Sequence, residues 1–181
     1  MHPWRCGDLR LLGLHRNYSL NIGRDNDDDS RDQKALCGPL ELKVDLGNPA
    51  ALYDTRAGKL LGKTSRWVVR LNDTEPVILT VLPEPVKGVS IQAPQRARSG
   101  DLVKVTLRLE GRQLGDTHAF RAQIFDPEGQ ELSMLTRNLA APRGVGLWEL
   151  PLAVNQRKGT YSLRVREIAT GARAERRLIV W

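Results

Sequence analysis

No stretch of this chain approaches the roughly 18 consecutive apolar residues that a membrane-spanning helix needs. No segment keeps a 3.6-residue apolar period for three turns, so a helical domain is not expected either. Cysteine is nearly missing: Cys6 and Cys37 are the only two in 181 residues. Two cannot staple a disulfide scaffold or build a four-thiolate zinc site. The plain reading is two free thiols, which could pair only in an oxidising compartment. The three histidines, His2, His15 and His118, share no metal-ligand spacing. His118 opens a strand beside a turn, and a satisfied surface histidine is expected there. Aromatics make up only 5% of the chain, so any core must be mostly aliphatic. The opening Met1-His2-Pro3-Trp4-Arg5-Cys6-Gly7-Asp8 lacks the apolar core of a secretory signal. The chain is therefore cytoplasmic, or its true start lies upstream.

What is present is alternation. Val103, Val105, Leu107 and Leu109 share one face of a strand, with Lys104, Thr106 and Arg108 on the other. That is a half-buried antiparallel strand. The same pattern recurs over 89–93, 118–126, 146–154, 160–168 and 173–181. A return strand over 130–136 is expected after the turn Asp126-Pro127-Glu128-Gly129. Seven strands at about 8–12-residue spacing read as an Ig-like β-sandwich. The Cys…Trp…Cys pattern of antibody domains is absent. The first half is β as well, with expected strands over 9–14, 40–46, 50–54, 59–62, 66–71 and 77–82. The fold expected is all-β: two tandem antiparallel β-sandwich domains, 1–86 and 87–181. Leu82-Pro83-Glu84-Pro85-Val86-Lys87-Gly88 joins them as a stiff, extended stretch. An acidic, mobile loop is expected near 23–39.

Most motifs reduce to structure. Ala57-Gly58-Lys59-Leu60-Leu61-Gly62-Lys63-Thr64 fits a relaxed phosphate-loop pattern. A true one needs a helix after it to turn backbone donors on the phosphate, and β-rich Ser65-Arg66-Trp67-Val68-Val69-Arg70 follows instead. The segment reads as a hairpin. Asp25-Asn26-Asp27-Asp28-Asp29 offers oxygens for calcium, but the EF-hand glycine and glutamate positions hold Ser30 and Leu36. A solvated loop is the default, and no metal or cofactor is assigned. Asn17-Tyr18-Ser19 and Asn72-Asp73-Thr74 match the glycosylation sequon, which matters only in a eukaryotic secretory route. No nucleophile, base or carboxylate pair stands out, so no catalytic residue is named.

Charge divides unevenly. Residues 1–88 hold 13 Lys and Arg against 12 Asp and Glu, a net +1, while 89–181 hold 15 against 9, a net +6. If the second half is Ig-like, its third, sixth and seventh strands share a sheet. Their polar faces then carry Arg121, Arg164, Arg166, Arg173 and Arg177. Such a stripe suits a sulfated or uronic polysaccharide, an acidic protein face or a nucleic acid; otherwise it is a solubilising surface. No aromatic is read as interleaved with these arginines, and nucleic-acid grooves usually have one, so nucleic acid is not expected.

A resemblance rests on two phrases in the first half. They are Leu52-Tyr53-Asp54-Thr55-Arg56-Ala57-Gly58-Lys59-Leu60-Leu61-Gly62-Lys63-Thr64 and Glu75-Pro76-Val77-Ile78-Leu79-Thr80-Val81-Leu82-Pro83. Together they resemble the closing β-sandwich at the C-terminus of many bacterial glycoside hydrolases, β-galactosidase-like proteins among them. The second half is similar to Ig-like or fibronectin-like modules of large secreted bacterial proteins, through His118-Ala119-Phe120, Asp126-Pro127-Glu128-Gly129, Leu150-Pro151-Leu152-Ala153-Val154-Asn155 and Gly159-Thr160-Tyr161-Ser162-Leu163-Arg164-Val165. The resemblance covers about residues 40–181 and transfers no catalytic residue. It implies a secreted or periplasmic accessory region with no activity of its own. Its partner would be the catalytic domain of a parent polypeptide or a polysaccharide. The alternative is a polyanion- or protein-binding module that uses the basic sheet face.

Overall fold

The structure is a computed structural model that describes residues 2–15, 40–72 and 75–181. The acidic stretch, Cys37 and the first sequon lie outside the described residues. Among the described residues Cys6 has no disulfide partner. The described chain is all-β, as the alternation predicts, and its strands lie in three sheets.

The first five strands are β1 (His2–Cys6), β2 (Leu9–Leu14), β3 (Leu40–Asp54), β4 (Lys59–Leu71) and β5 (Val77–Leu82). They form a single antiparallel sheet in the order β1-β2-β5-β3-β4. Among the described residues of 1–86 there is one sheet, where a two-layer sandwich is expected. Its length explains the difference. Gly47-Asn48-Pro49 carries strong turn signals, yet β3 runs through them with a register shift between Asp45 and Ala50. The Asp45 carboxylate accepts the Gly47 N–H at 2.9 Å, and Gly47 takes φ +79°, so the break is absorbed as an irregularity. What read as four short strands is one long β3–β4 hairpin. Its turn is closed by Asp54, which accepts Gly58 N–H on its carbonyl and Ala57 N–H on its carboxylate. The phosphate-loop-like residues 57–64 therefore form a hairpin.

Eight strands follow: β6 (Gly88–Gln92), β7 (Arg96–Ala97), β8 (Leu102–Glu110), β9 (Thr117–Phe125), β10 (Arg137–Pro142), β11 (Val145–Pro151), β12 (Gly159–Glu167) and β13 (Arg173–Val180). One sheet has the order β10-β9-β12-β13-β7, and the other β11-β8-β6. They share one core. Val103, Val105, Leu107, Trp148 and Leu150 meet Phe120, Ile124, Tyr161, Leu163 and Leu178 in it. This is sandwich-like packing, with the alternating apolar faces turned inward.

The expected return strand over 130–136 is corrected. Only Glu131 bridges back, to Phe125, and a 3-10 turn spans Ser133–Leu135. Leu132 and Leu135, three apart, both pack on the core, while Met134 points to solvent. The partner of β9 is instead β10, from Arg137↔Ala122 to Pro142↔Thr117. Near the start of β12, the buried Tyr161 hydroxyl donates to the Arg157 carbonyl at 2.7 Å and accepts from Gln156 at 2.9 Å. Arg176 lies on the inward side of β13, opposite Leu163, and donates to the Ile91 carbonyl at 3.3 Å.

The two halves meet along one side of the first sheet. Leu9, Ala51, Tyr53 and Leu82 form a small buried cluster with Val86 and Ala169. The Tyr53 hydroxyl accepts the Val86 N–H at 2.7 Å, and Lys63 pairs with Glu84 at 2.7 Å, so the proline-rich joint is tied down at both ends. Two turns cross there. Gly171, at φ +77°, lies against the Gly58 backbone so closely that a Cβ on Gly171 would collide with it. Gly171→Ala adds that collision to an unfavourable backbone conformation. It should destabilise the chain by more than the usual gain of about 0.4–1 kcal/mol for a compatible Gly→Ala, read as a lower urea midpoint. An unchanged midpoint would mean that the turns do not bear on each other.

Candidate functional site

The junction holds a buried polar network. His118 and Glu167 side chains are both 0% exposed, and the His118 Nδ1 is 2.9 Å from the Glu167 carboxylate. The other ring nitrogen, Nε2, faces the Leu114 carbonyl. Both partners can accept, so the arrangement suits a ring that carries protons on both nitrogens. Burial alone would lower the His118 pKa. The bonds to Glu167 and Leu114, together with the Glu167 charge, outweigh that and hold it above its usual 6.5. Burial alone would raise Glu167. Its bonds from His118 and Thr170 hold it below its usual 4.5.

Glu167 also organises the β12–β13 turn. It accepts the Ala169 N–H at 3.1 Å, the Thr170 N–H at 2.6 Å and the Thr170 hydroxyl at 2.5 Å. The network then crosses to the first half, where the Thr80 hydroxyl donates to the Ala169 carbonyl at 2.7 Å and lies 2.8 Å from Thr55 Oγ1. His118 is therefore corrected from a surface histidine to a buried one. Every polar atom of its ring is occupied by protein, so it has no nitrogen to offer a substrate.

The second feature is the outer face of β9, β12 and β13. The five arginines expected to share a sheet face do so, and register sorts them. Arg166 stands opposite Arg121 on one side and opposite Arg173 on the other, which makes a row of three arginines in register. The next row is Gln123, Arg164 and Glu175, and the one after it is Phe125, Ser162 and Arg177. The first two rows and Phe125 line an open cleft of about 680 Å³.

The rows differ in their electrostatics. Glu175 pairs with Arg164 at 3.3 Å and accepts from Ser162 at 2.6 Å. Its pKa is lowered first by the Ser162 bond and then by the charges of Arg164 and Arg177, with slight burial working against them. The Arg164 guanidinium also lies 4.2 Å over the Phe125 ring. An aromatic is thus interleaved with the arginines, contrary to the sequence reading, but its face is already covered. The row of three has less compensation. Glu131 feels Arg121, but it hydrogen-bonds first to Gln123 and then to Thr136. Arg166 donates to the Arg56 carbonyl across the junction at 3.4 Å, and its buried Nε has no hydrogen-bond partner.

Of the tryptophans, Trp148 is core, Trp67 is half-buried, and Trp4 and Trp181 are exposed. Arg98 sits 4.5 Å over Trp181. Among the described residues no cluster of three metal-ligating side chains occurs, and no helix is long and apolar enough to cross a membrane. Gln123, Phe125 and Glu175 were missed by sequence reasoning, although they alternate with the arginines on the same strands and could have been placed by that rule. No family model and no curated protein matches this chain.

Proposed function

We propose that this chain is a non-catalytic accessory β-sandwich region of a larger, exported, carbohydrate-active protein, which packs beside a catalytic domain or holds glycan. The observation that carries this reading is the junction. Backbone contact at Gly58 and Gly171 and the Thr80–Ala169 bond tie two β units together, which suits a spacer that fixes position. The resemblance of residues 52–64 and 75–83 to the closing sandwich of glycoside hydrolases adds the carbohydrate context. An Ig-like second domain is supported by the sheets β10-β9-β12-β13-β7 and β11-β8-β6 and by β7 running parallel to β13. The Tyr161 hydroxyl bond back to Arg157, just before β12, has the form of the tyrosine corner of such sandwiches. The purified chain should release no sugar from glycosides or polysaccharides in a reducing-end assay. Ordinary enzymatic turnover would contradict the reading.

A second reading has its own observation, the three arginines in register. Like charges placed directly opposite each other on a sheet are destabilising, so an anion on this face would offset that cost. In this reading the basic face binds a polyanion or an acidic protein surface. The double reversal Arg121→Glu with Arg173→Glu should abolish retention on heparin resin at low salt. Unchanged retention would remove the face from consideration.

A further inference from the structure

We infer that the open edge of β13, at Arg173–Arg177, takes an extended acidic segment of a partner polypeptide as an added strand. The inference goes beyond both readings above, because it uses the backbone of the sheet edge and not the outer face. The last position of the β10-β9-β12-β13-β7 sheet is only partly filled. β7 is two residues long and pairs with Ile179 and Val180, whereas β13 has eight residues. Among the described residues no strand lies beside the rest of β13 on that side. Parity identifies the bare groups. Ile179 N–H donates to the Gln95 carbonyl at 3.0 Å and Trp181 N–H to the Ala97 carbonyl at 3.1 Å, so odd-numbered residues turn their backbone groups toward this edge. The register with β12 runs unbroken from Arg173 to Val180. Arg173, Glu175 and Arg177 therefore turn theirs outward too, where none of the described residues meets them. An open cleft of about 380 Å³, lined by Gln95, Thr160, Arg176, Arg177 and Ile179, marks the place where β7 begins.

The edge selects a polypeptide, and its charges select an acidic one. Bare N–H and C=O groups recur along it at every second residue, about 6.6 Å apart, which is the repeat of another strand. A polysaccharide or a nucleic acid carries no such alternation of donors and acceptors. The side chains of the edge residues are exposed and read Arg173, Glu175, Arg177. Glu175 is already held by Arg164 at 3.3 Å and Ser162 at 2.6 Å, and the exposed Arg96 on β7 adds a further cation. Opposite charges directly across strands stabilise a sheet, and like charges repel. An incoming strand therefore fits best with acidic residues opposite Arg173 and Arg177, four apart, and a neutral residue opposite Glu175. A second copy of β13 does not meet this pattern. Parallel or antiparallel, full overlap of the bare residues of two copies sets glutamate against glutamate and arginine against arginine. Charge on an exposed edge commonly guards it against indiscriminate pairing, and here the guard admits an acidic segment.

The test uses the unaltered full chain and the labelled peptide Ser-Thr-Glu-Thr-Ser-Thr-Glu-Thr-Ser, read by fluorescence anisotropy at low salt. Its pattern is the same in both directions, so it serves parallel and antiparallel addition alike. Saturable binding is expected. A peptide of the same composition with adjacent glutamates, and one with lysine in place of glutamate, should bind about tenfold or more weakly. N-methylation of one alternate set of peptide amides removes the N–H groups that face β13, and the other set faces away from it. One set should cost about tenfold or more, while the other leaves binding within about threefold. Arg173→Gln with Arg177→Gln should weaken the peptide by about tenfold as well, with the unfolding midpoint read alongside to show that the variant folds. Equal responses to the two methylated sets would overturn strand addition and reduce the contact to attraction between charges. Binding of the lysine peptide as tight as that of the glutamate peptide would overturn the acidic assignment. No binding of the unmodified peptide would overturn the inference outright, and heparin retention in that case would leave the reading of the basic face intact.

Discussion

Replacing Glu167 with alanine should destabilise the chain by about 3–5 kcal/mol, the range for breaking a buried charge pair from one side. The cost is high because one carboxylate serves four donors: His118, Ala169 N–H, Thr170 N–H and the Thr170 hydroxyl. Its loss leaves the buried His118 ring with the Leu114 carbonyl as its remaining partner and frees the turn that rests on Thr80 and Gly58. The pair also sets a pH profile. His118 is raised in the folded state, so its contribution is complete below its usual 6.5 and fades as pH climbs through the higher folded value. Glu167 is lowered, so its contribution is complete above its usual 4.5 and fades as pH falls through the lower folded value. Their joint contribution is therefore greatest between those two usual values. Urea unfolding at about pH 5.5 and about pH 8.5 should show an alkaline loss in the native chain that His118→Gln lacks. The same alkaline loss in both would mean that His118 is not the titrating group.

Trp148→Ala should cost about 3–5 kcal/mol, the usual range for deleting a buried aromatic side chain. Trp148 is 2% exposed and sits on β11 opposite Val105, inside the core shared by both sheets of the second half. Few large side chains are available to collapse into the space, since aromatics are only 5% of the chain. The unfolding midpoint reads the loss. A change under about 1 kcal/mol would put Trp148 outside the core and reverse the facing of β11.

Six of the seven strands expected in the second half were legible in the sequence, because period-2 alternation with one buried face fixes both strand and side, while β7 and β10 were not expected. Val103 to Leu109, Phe120 to Ile124 and Tyr161 to Val165 face the core as their alternation requires. Alternation failed where another local force took over. Leu132 and Leu135 follow a 3-10 spacing, and Gly47-Asn48-Pro49 is a bulge inside a strand where composition alone reads a turn. β1, with Pro3 and Arg5 in a five-residue span, shows too little apolar pattern to be seen from sequence. For the site, the face of the arginines followed from alternation, but their partners did not. Pairing of Glu175 with Arg164, or of His118 with Glu167, depends on the register of separate strands, which one sequence does not state. The inward facing of His118 was legible, since it alternates in step with Phe120, Ala122 and Ile124; its partners, Glu167 on β12 and the Leu114 carbonyl before β9, were not.

The most direct test of the accessory role is the intact mass of the endogenous protein, captured from its own cells with an antibody to this chain and read by mass spectrometry. A mass well above 20.3 kDa is expected, with this region joined to a catalytic partner. A mass of 20.3 kDa would contradict that role, and the arginine row would then have to carry the function alone.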